Sequence, residues 1–196
     1  MSALHPRTRL FLLLALAATG LAFSACDVRV RKDANGQDKN VDINTPVGGI
    51  HVSNDVDVRD TGLPVYPGAR LQEKSGNDDK QANVNISTGF FGLKVVALEY
   101  ESDDAPEKLS TYYKAQLKKY GDVLECHTHK HGPTLEVKES NKDDDSKLLT
   151  CEDSGGETLE LKAGTKDNQR LVSIEPSGKG THFALVRILM RGKDTI

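Results

Sequence analysis

SDDAPEKLSTYYKAQLKKYG, residues 102–121, is the stretch whose reading decides the fold. Apolar side chains recur at Leu109, Tyr112, Tyr113, Leu117 and Tyr120, the i, i+3, i+4 spacing that lines one face of an α-helix. Asp104 signals the start, because its carboxylate can accept from first-turn N–H groups. Glu107, three residues on, completes a capping box. Pro106 falls in the first turn, where a missing N–H costs nothing. Lys118 and Lys119 stand at the negative end of the helix dipole, and Gly121 is placed to end the helix. A helix with one wide apolar stripe must bury it, and the flanking sequence offers strands for it to pack against.

Upstream, the strand candidates are residues 71–74, 83–88 and 93–102. The last of these is the longest and most apolar, and it runs straight into the helix. Val65-Tyr66-Pro67-Gly68-Ala69 reads as a turn ahead of them. Downstream come residues 123–131, 135–139, 147–152, 157–163, 169–175 and 181–191, divided by turns such as Asp153-Ser154-Gly155-Gly156 and Ser177-Gly178-Lys179-Gly180. Strands this closely spaced favour antiparallel pairing, since parallel pairs need long crossovers. Val186, Ile188 and Met190 alternate with Arg187 and Arg191, the pattern of a half-buried last strand whose second face is solvated. The prediction is therefore an α+β domain: an antiparallel β meander with one amphipathic helix, about 104–120, packed on one face.

The 196 residues suffice for one domain plus a leader and a tether. The formal net charge is −3, and it becomes more negative by two without residues 1–25, which carry Arg7 and Arg9 and no acidic residue. A mildly acidic, mixed-sign surface offers no basic face, so no nucleic-acid partner is expected. There is no Trp, and aromatic residues make up 5%, so the core must come mainly from Val, Leu and Ile.

Residues 1–25 have the layout of a secretory signal peptide: a positive start at Arg7 and Arg9, an apolar run LFLLLALAATGLAF at 10–23, then small residues before Cys26. The apolar run is shorter than the roughly 20 residues a membrane span needs. Its ending, Phe23-Ser24-Ala25-Cys26, resembles the lipobox of bacterial lipoproteins, with Phe23 departing from the preferred Leu. The resemblance implies cleavage before Cys26, a diacylglycerol on its sulfur and acylation of the new amine, hence a partner that is the membrane itself. Each buried methylene would add about 0.8 kcal/mol of anchoring. Asp27 is similar to the inner-membrane retention signal of enterobacterial lipoproteins. Ordinary cleavage leaving a free Cys26 is the alternative.

The other two cysteines, Cys126 and Cys151, are expected to form a disulfide in an exported chain. Residues 26–62 then read as a lipidated N-terminus and an extended, β-prone tether, with short alternations such as Val41/Ile43 and Ile50/Val52 and a hairpin signal at Asn35-Gly36; small hairpins or an edge ribbon are the alternative to a plain spacer. Residues 63–192 form the globular domain, and 193–196 a frayed tail. Tyr66-Pro67-Gly68-Ala69, a capped helix and the terminal Phe183-Ala184-Leu185-Val186 together resemble bacterial envelope lipoproteins, a resemblance that implies no activity.

Two features suggest chemistry. His127, His129 and His131 alternate, and on a strand residues two apart share a face at about 6.6 Å, close enough for one ion. The first and third lie about 13 Å apart by the same rise. A zinc site would need a further ligand, such as His182 or a Glu, and Zn²⁺ or Cu²⁺ would suit imidazole. The plainer reading is a solvated strand end, so no cofactor or metal is assigned and His127 and His129 are only candidates. Asp143-Asp144-Asp145, and Asp33, Asn35 and Asp38, lack the alternating spacing and closing Glu of a calcium loop. No nucleophile elbow, His-Glu-x-x-His helix, phosphate loop or dinucleotide fingerprint occurs. The expected function is a non-enzymatic binding or scaffolding role at the envelope membrane, with an unspecified envelope protein as partner. The alternative is metal or small-ligand binding through the His127/His129 strand.

Overall fold

The computed structural model describes residues 26–32, 38–72, 81–129, 148–151 and 155–191. Ten strands make one sheet: β1 Asp27–Lys32, β2 Asp38–Thr45, β3 Gly48–Ser53, β4 Arg70–Leu71, β5 Gln81–Thr88, β6 Gly92–Ser102, β7 Leu124–Thr128, β8 Thr158–Thr165, β9 Asn168–Ser177 and β10 Gly180–Arg191. Their order is β1-β2-β3-β5-β6-β10-β9-β8-β7, with β4 extending the β5 side of β6, and every pairing is antiparallel. Helix α1, Pro106–Leu117, is the one α-helix among the described residues and packs on β8 and β9. This is the predicted α+β architecture.

The topology explains why the helix is needed. Four antiparallel steps separate β6 from β7, so the two run in the same direction. The chain must cross the sheet to reach the far edge, and α1 is that crossover. It buries Leu109, Tyr113 and Leu117 completely against Leu161, Val172, Ile174, Phe183 and Leu185. Tyr112 and Tyr120 are half-buried at the margins of the same cluster. The Tyr113 ring lies 5.7 Å from Phe183, which stacks at 5.5 Å on Tyr100.

The helix begins later than the capping box predicts. Ala105 is extended at φ −67°, ψ 150° and occupies the cap position with no side-chain bond. Pro106 disfavours the helical conformation in the residue before it, so the helix starts at Pro106 and Asp104 lies one residue too early to cap it. The Asp104 carboxylate instead accepts from the Tyr66 hydroxyl at 2.9 Å and from Lys108 Nζ at 2.6 Å. That pair pins the helix start to the turn Tyr66-Pro67-Gly68-Ala69. The turn itself forms as read: Ala69 N–H donates to the Tyr66 carbonyl at 3.0 Å, and Gly68 takes φ +79°. Pro followed by a positive-φ glycine is the type II pattern.

Three other expectations are revised. The stretch read as a tether, residues 26–62, contributes β1, β2 and β3 to the sheet, and β3 pairs with β5 from Gly48↔Thr88 to Ser53↔Asn83. Residues 58–61 then form a 3₁₀ turn packed on β6 and β10. Its end is set by Gly62, at φ +74°, where a Cβ would come within 2.8 Å of the Tyr120 hydroxyl that bonds the Gly62 carbonyl. No structural break falls at residue 62. The alternating Val/Ile pairs were strand signals, and their partners were simply distant in sequence.

β10, read as a half-buried last strand, is buried on both faces over residues 183–186. Phe183, Ala184, Leu185 and Val186 are all buried, because β10 is central, with β6 and β9 on its two sides. The face away from the helix carries a second apolar cluster of Leu93, Leu171, Ala184, Val186 and Ile188 in place of a solvated surface. Finally, residues 148–151 form no strand. Cys151 is tied to Cys126 on β7 by a disulfide with Cα atoms 5.5 Å apart, which holds the segment beside the sheet without a ladder.

Candidate functional site

Residues 1–25, 33–37, 73–80, 130–147, 152–154 and 192–196 lie outside the described residues. With them go the leader, the Asn35-Gly36 signal, His131, the strand proposed at 135–139, Asp143-Asp144-Asp145 and the C-terminal tail. Among the described residues no helix is long and apolar enough to cross a membrane.

Cys26 is exposed and unpaired with another cysteine, immediately before β1. β1 is the outermost strand on its side of the sheet, and all six of its residues are exposed. The predicted lipidation site therefore opens directly into an edge strand, with no spacer between. Cys126 is buried on β7 while Cys151 is exposed, so the disulfide closes one surface segment onto the opposite edge of the sheet.

The histidines do not converge. His127 is on β7 and pairs with Leu159, which pairs with Ile174, which pairs with Phe183. Cross-strand neighbours share a face, so His127 projects on the helix side. His129 lies one residue beyond β7, exposed. His182 is next to Phe183 and so faces the other way, three strands from β7 and about 14 Å off at ordinary strand spacing. The sheet thus separates His182 from His127. Among the described residues no group of three or more His, Cys, Asp or Glu side chains could hold a metal ion.

Other charged clusters come together only through the fold. On the face away from the helix, His182 Nε2 stands 3.3 Å from a Glu99 oxygen on β6, and its Nδ1 stands 4.0 Å from Glu175 on β9. Thr158 on β8 donates to Glu175 at 3.1 Å. Nearby on β8, Lys162 and Glu160 form a buried ion pair at 3.1 Å, and Glu160 is opposite Cys126. On the helix side, Arg170 and Arg187 are cross-strand neighbours on β9 and β10. Arg170 is 9% exposed, its guanidinium lies 4.0 Å over the Tyr120 ring, and it donates to Asn168 at 2.9 Å. Burial first, and the Arg187 charge second, pull its pKa below the ordinary arginine value. Arg187 donates to the Asp60 carbonyl at 3.3 Å. A shallow groove of about 730 Å³ lies between the end of α1 and β7, lined by Lys114, Lys118, Gly121, Asp122, Val123 and Glu125. Lys114 and Glu125 pair across it at 2.8 Å.

Among the described residues these clusters hold ion pairs and hydrogen bonds, the Thr158 hydroxyl on Glu175 among them. The sequence carried no signal for them. Glu175 and His182 flank the β9–β10 turn, whereas Glu99 is far away in the chain and joins them only through the β6-β10 register. No protein-family model, curated protein or solved structure matches this chain.

Proposed function

We propose that this is an exported protein, anchored to a bacterial envelope membrane through acyl chains on Cys26, with a non-enzymatic binding or scaffolding role. The observation that carries the reading is the position of Cys26. It follows an apolar leader with a small-small-Cys ending, and it is exposed at the head of an edge strand, where an acylated sulfur and amine could leave the fold without disturbing it. The disulfide Cys126–Cys151 supports an oxidising compartment, where such bonds persist. The lack of any catalytic motif in the sequence favours binding over turnover.

The test is the mass of the N-terminal peptide of the mature protein. Acylation at Cys26 with residues 1–25 removed is the expected result, and Cys26→Ser should move the protein from the membrane to the soluble fraction. An unmodified thiol at Cys26 in the mature protein would overturn the anchor. In-cell crosslinking of the intact protein then addresses the role. Recovery of one abundant envelope protein supports a scaffolding subunit, and recovery of none argues against it.

A further inference from the structure

One end of the sheet gathers features that no single stretch of sequence displays. β1 starts there, opposite Asn44, so Cys26 is there. The β2–β3 turn lies beside it, because Thr45 pairs with Gly48, and Gly48 in turn faces Thr88 at the end of β5. The β5–β6 turn follows, with Ser87 opposite Gly92, and Gly92 faces Arg191 at the end of β10. Six neighbouring strands, β1, β2, β3, β5, β6 and β10, therefore end together. At about 4.8 Å per strand, Cys26 lies within roughly 20 Å of the β5–β6 turn.

Of the three hairpin turns at this end, β8–β9 carries the polar Lys166 and Asp167, and the two nearer Cys26 are built alike. In each, a threonine hydroxyl takes up the turn's own backbone. Thr45 donates to the Gly48 carbonyl at 2.8 Å and accepts from Val47 N–H at 3.4 Å. Thr88 donates to the Phe91 carbonyl at 3.1 Å and accepts from Phe91 N–H at 2.9 Å. In each, the tip residue is large, apolar and held out from the body: Val47 is 78% exposed and Phe90 71% exposed. Phe91 is also exposed, and so is Val28, the second residue of β1. Turns ordinarily carry Gly, Pro, Asn, Asp or Ser at such tips. The β9–β10 turn at the opposite end obeys that rule, with Ser177, Gly178 and Lys179. The exposed apolar tips are thus clustered on the half of the rim that adjoins Cys26, with the exposed Arg191 at its margin.

We infer that this rim is a membrane-docking edge: Val47, Phe90 and Phe91 enter the acyl boundary of the bilayer and Arg191 meets lipid phosphate, so the anchored domain sits directly on the membrane in one orientation. The inference rests on the anchor reading above and goes beyond it, since an acyl chain alone would leave the domain free to rotate. The occupant is lipid, as opposed to a second protein, because the patch adjoins the acylation site at the same end of the sheet and no spacer lifts it away. Aromatic side chains with a nearby cation suit the headgroup boundary, where one end is apolar and the other wet.

The natural chain has no Trp, so a single indole reports its own surroundings. Phe90→Trp is placed at the rim, and Thr111→Trp on the exposed side of α1 is the control. Each mature protein, its Cys26 mass verified, is reconstituted in phosphatidylethanolamine and phosphatidylglycerol vesicles with brominated acyl chains. At a docking depth of several ångströms, the indole at position 90 should lose roughly half of its emission to bromolipid and resist aqueous iodide, while the indole at position 111 does the reverse. If Cys26 is acylated and iodide quenches position 90 as fully as position 111, the docking edge is refuted and the anchor stands. Protection from both quenchers would mean protein covers the rim, which also refutes it. If Cys26 carries no acyl mass, the anchor fails and this inference with it.

Discussion

Removing the ring of Tyr113 probes how the helix is seated. Tyr113 is completely buried, with its ring 5.1 Å from Tyr112 and 5.7 Å from Phe183, and its hydroxyl donates to the Pro64 carbonyl at 3.3 Å. It is therefore the side chain that joins α1 both to the sheet and to the segment leading into β4. Truncating a buried aromatic to Ala costs about 3 to 5 kcal/mol, from lost transfer energy and the cavity left behind. Tyr113→Phe keeps the ring and removes only the hydrogen bond, which costs about 1 kcal/mol. For a domain of this size each kcal/mol moves the midpoint by about 2 to 4 °C. Tyr113→Ala should then lower Tm by roughly 10 °C or more, and Tyr113→Phe by about 3 °C. Thr111→Ala, two residues away on the exposed side, should stay within about 0.5 kcal/mol of the parent. Urea unfolding followed by far-ultraviolet circular dichroism measures all three. If Tyr113→Ala cost less than about 1 kcal/mol at unchanged slope, the helix could not be seated by this face, and the core described above would be wrong.

Three further outcomes follow from the same geometry. Reducing Cys126–Cys151, whose cysteines are 25 residues apart, should destabilise the fold by about 3 to 4 kcal/mol; two reactive thiols besides Cys26 in the unreduced, unfolded protein would sink the bridge. The Asp57 carboxyl is held down at about 2 by hydrogen bonds from Arg59, Asp103 is held low by Arg70, and Asp104 by Lys108 and Tyr66. Groups depressed in the folded state contribute stability above their unfolded values, near 3.8, and lose it as pH falls through the folded ones, so Tm should fall between about pH 4 and pH 2. Asp104→Asn should flatten that fall, and an identical acid profile would remove Asp104 from the account. Because Arg170 is buried beside Arg187 with no carboxylate partner among the described residues, Arg170→Met should leave stability within about 1 kcal/mol of the parent. A loss above about 3 kcal/mol in thermal unfolding would show that its contacts with Tyr120 and Asn168 outweigh the desolvated charge.

Local physics made much of this protein legible from its sequence. Leu109, Tyr113 and Leu117 recur at helical spacing, so an amphipathic helix was determined wherever the rest of the chain went. The turns at Tyr66-Pro67-Gly68-Ala69 and Ser177-Gly178-Lys179-Gly180 were readable because Pro and positive-φ Gly act on their own backbone. The pairing of Cys126 with Cys151 was readable because two cysteines remain once Cys26 is set aside. The apolar run at 10–23 and the Ser24-Ala25-Cys26 ending are likewise properties of the chain alone.

Register and strand order depend on contacts between residues far apart in sequence, and those only the tertiary structure decided. It drew the apparent tether into the sheet by pairing Gly48 through Ser53 with β5, because a strand's partner is invisible in its own alternation. It buried both faces of β10 by placing that strand between β6 and β9. It moved the cap from Asp104 to Ala105, because the residue before Pro106 must be extended. It set His127 and His182 on opposite faces, since a side chain's face follows from its ladder and not from its neighbours in the chain. The same ladders brought Val47, Phe90 and Phe91 to one rim beside Cys26, although more than 60 residues separate Cys26 from Phe90.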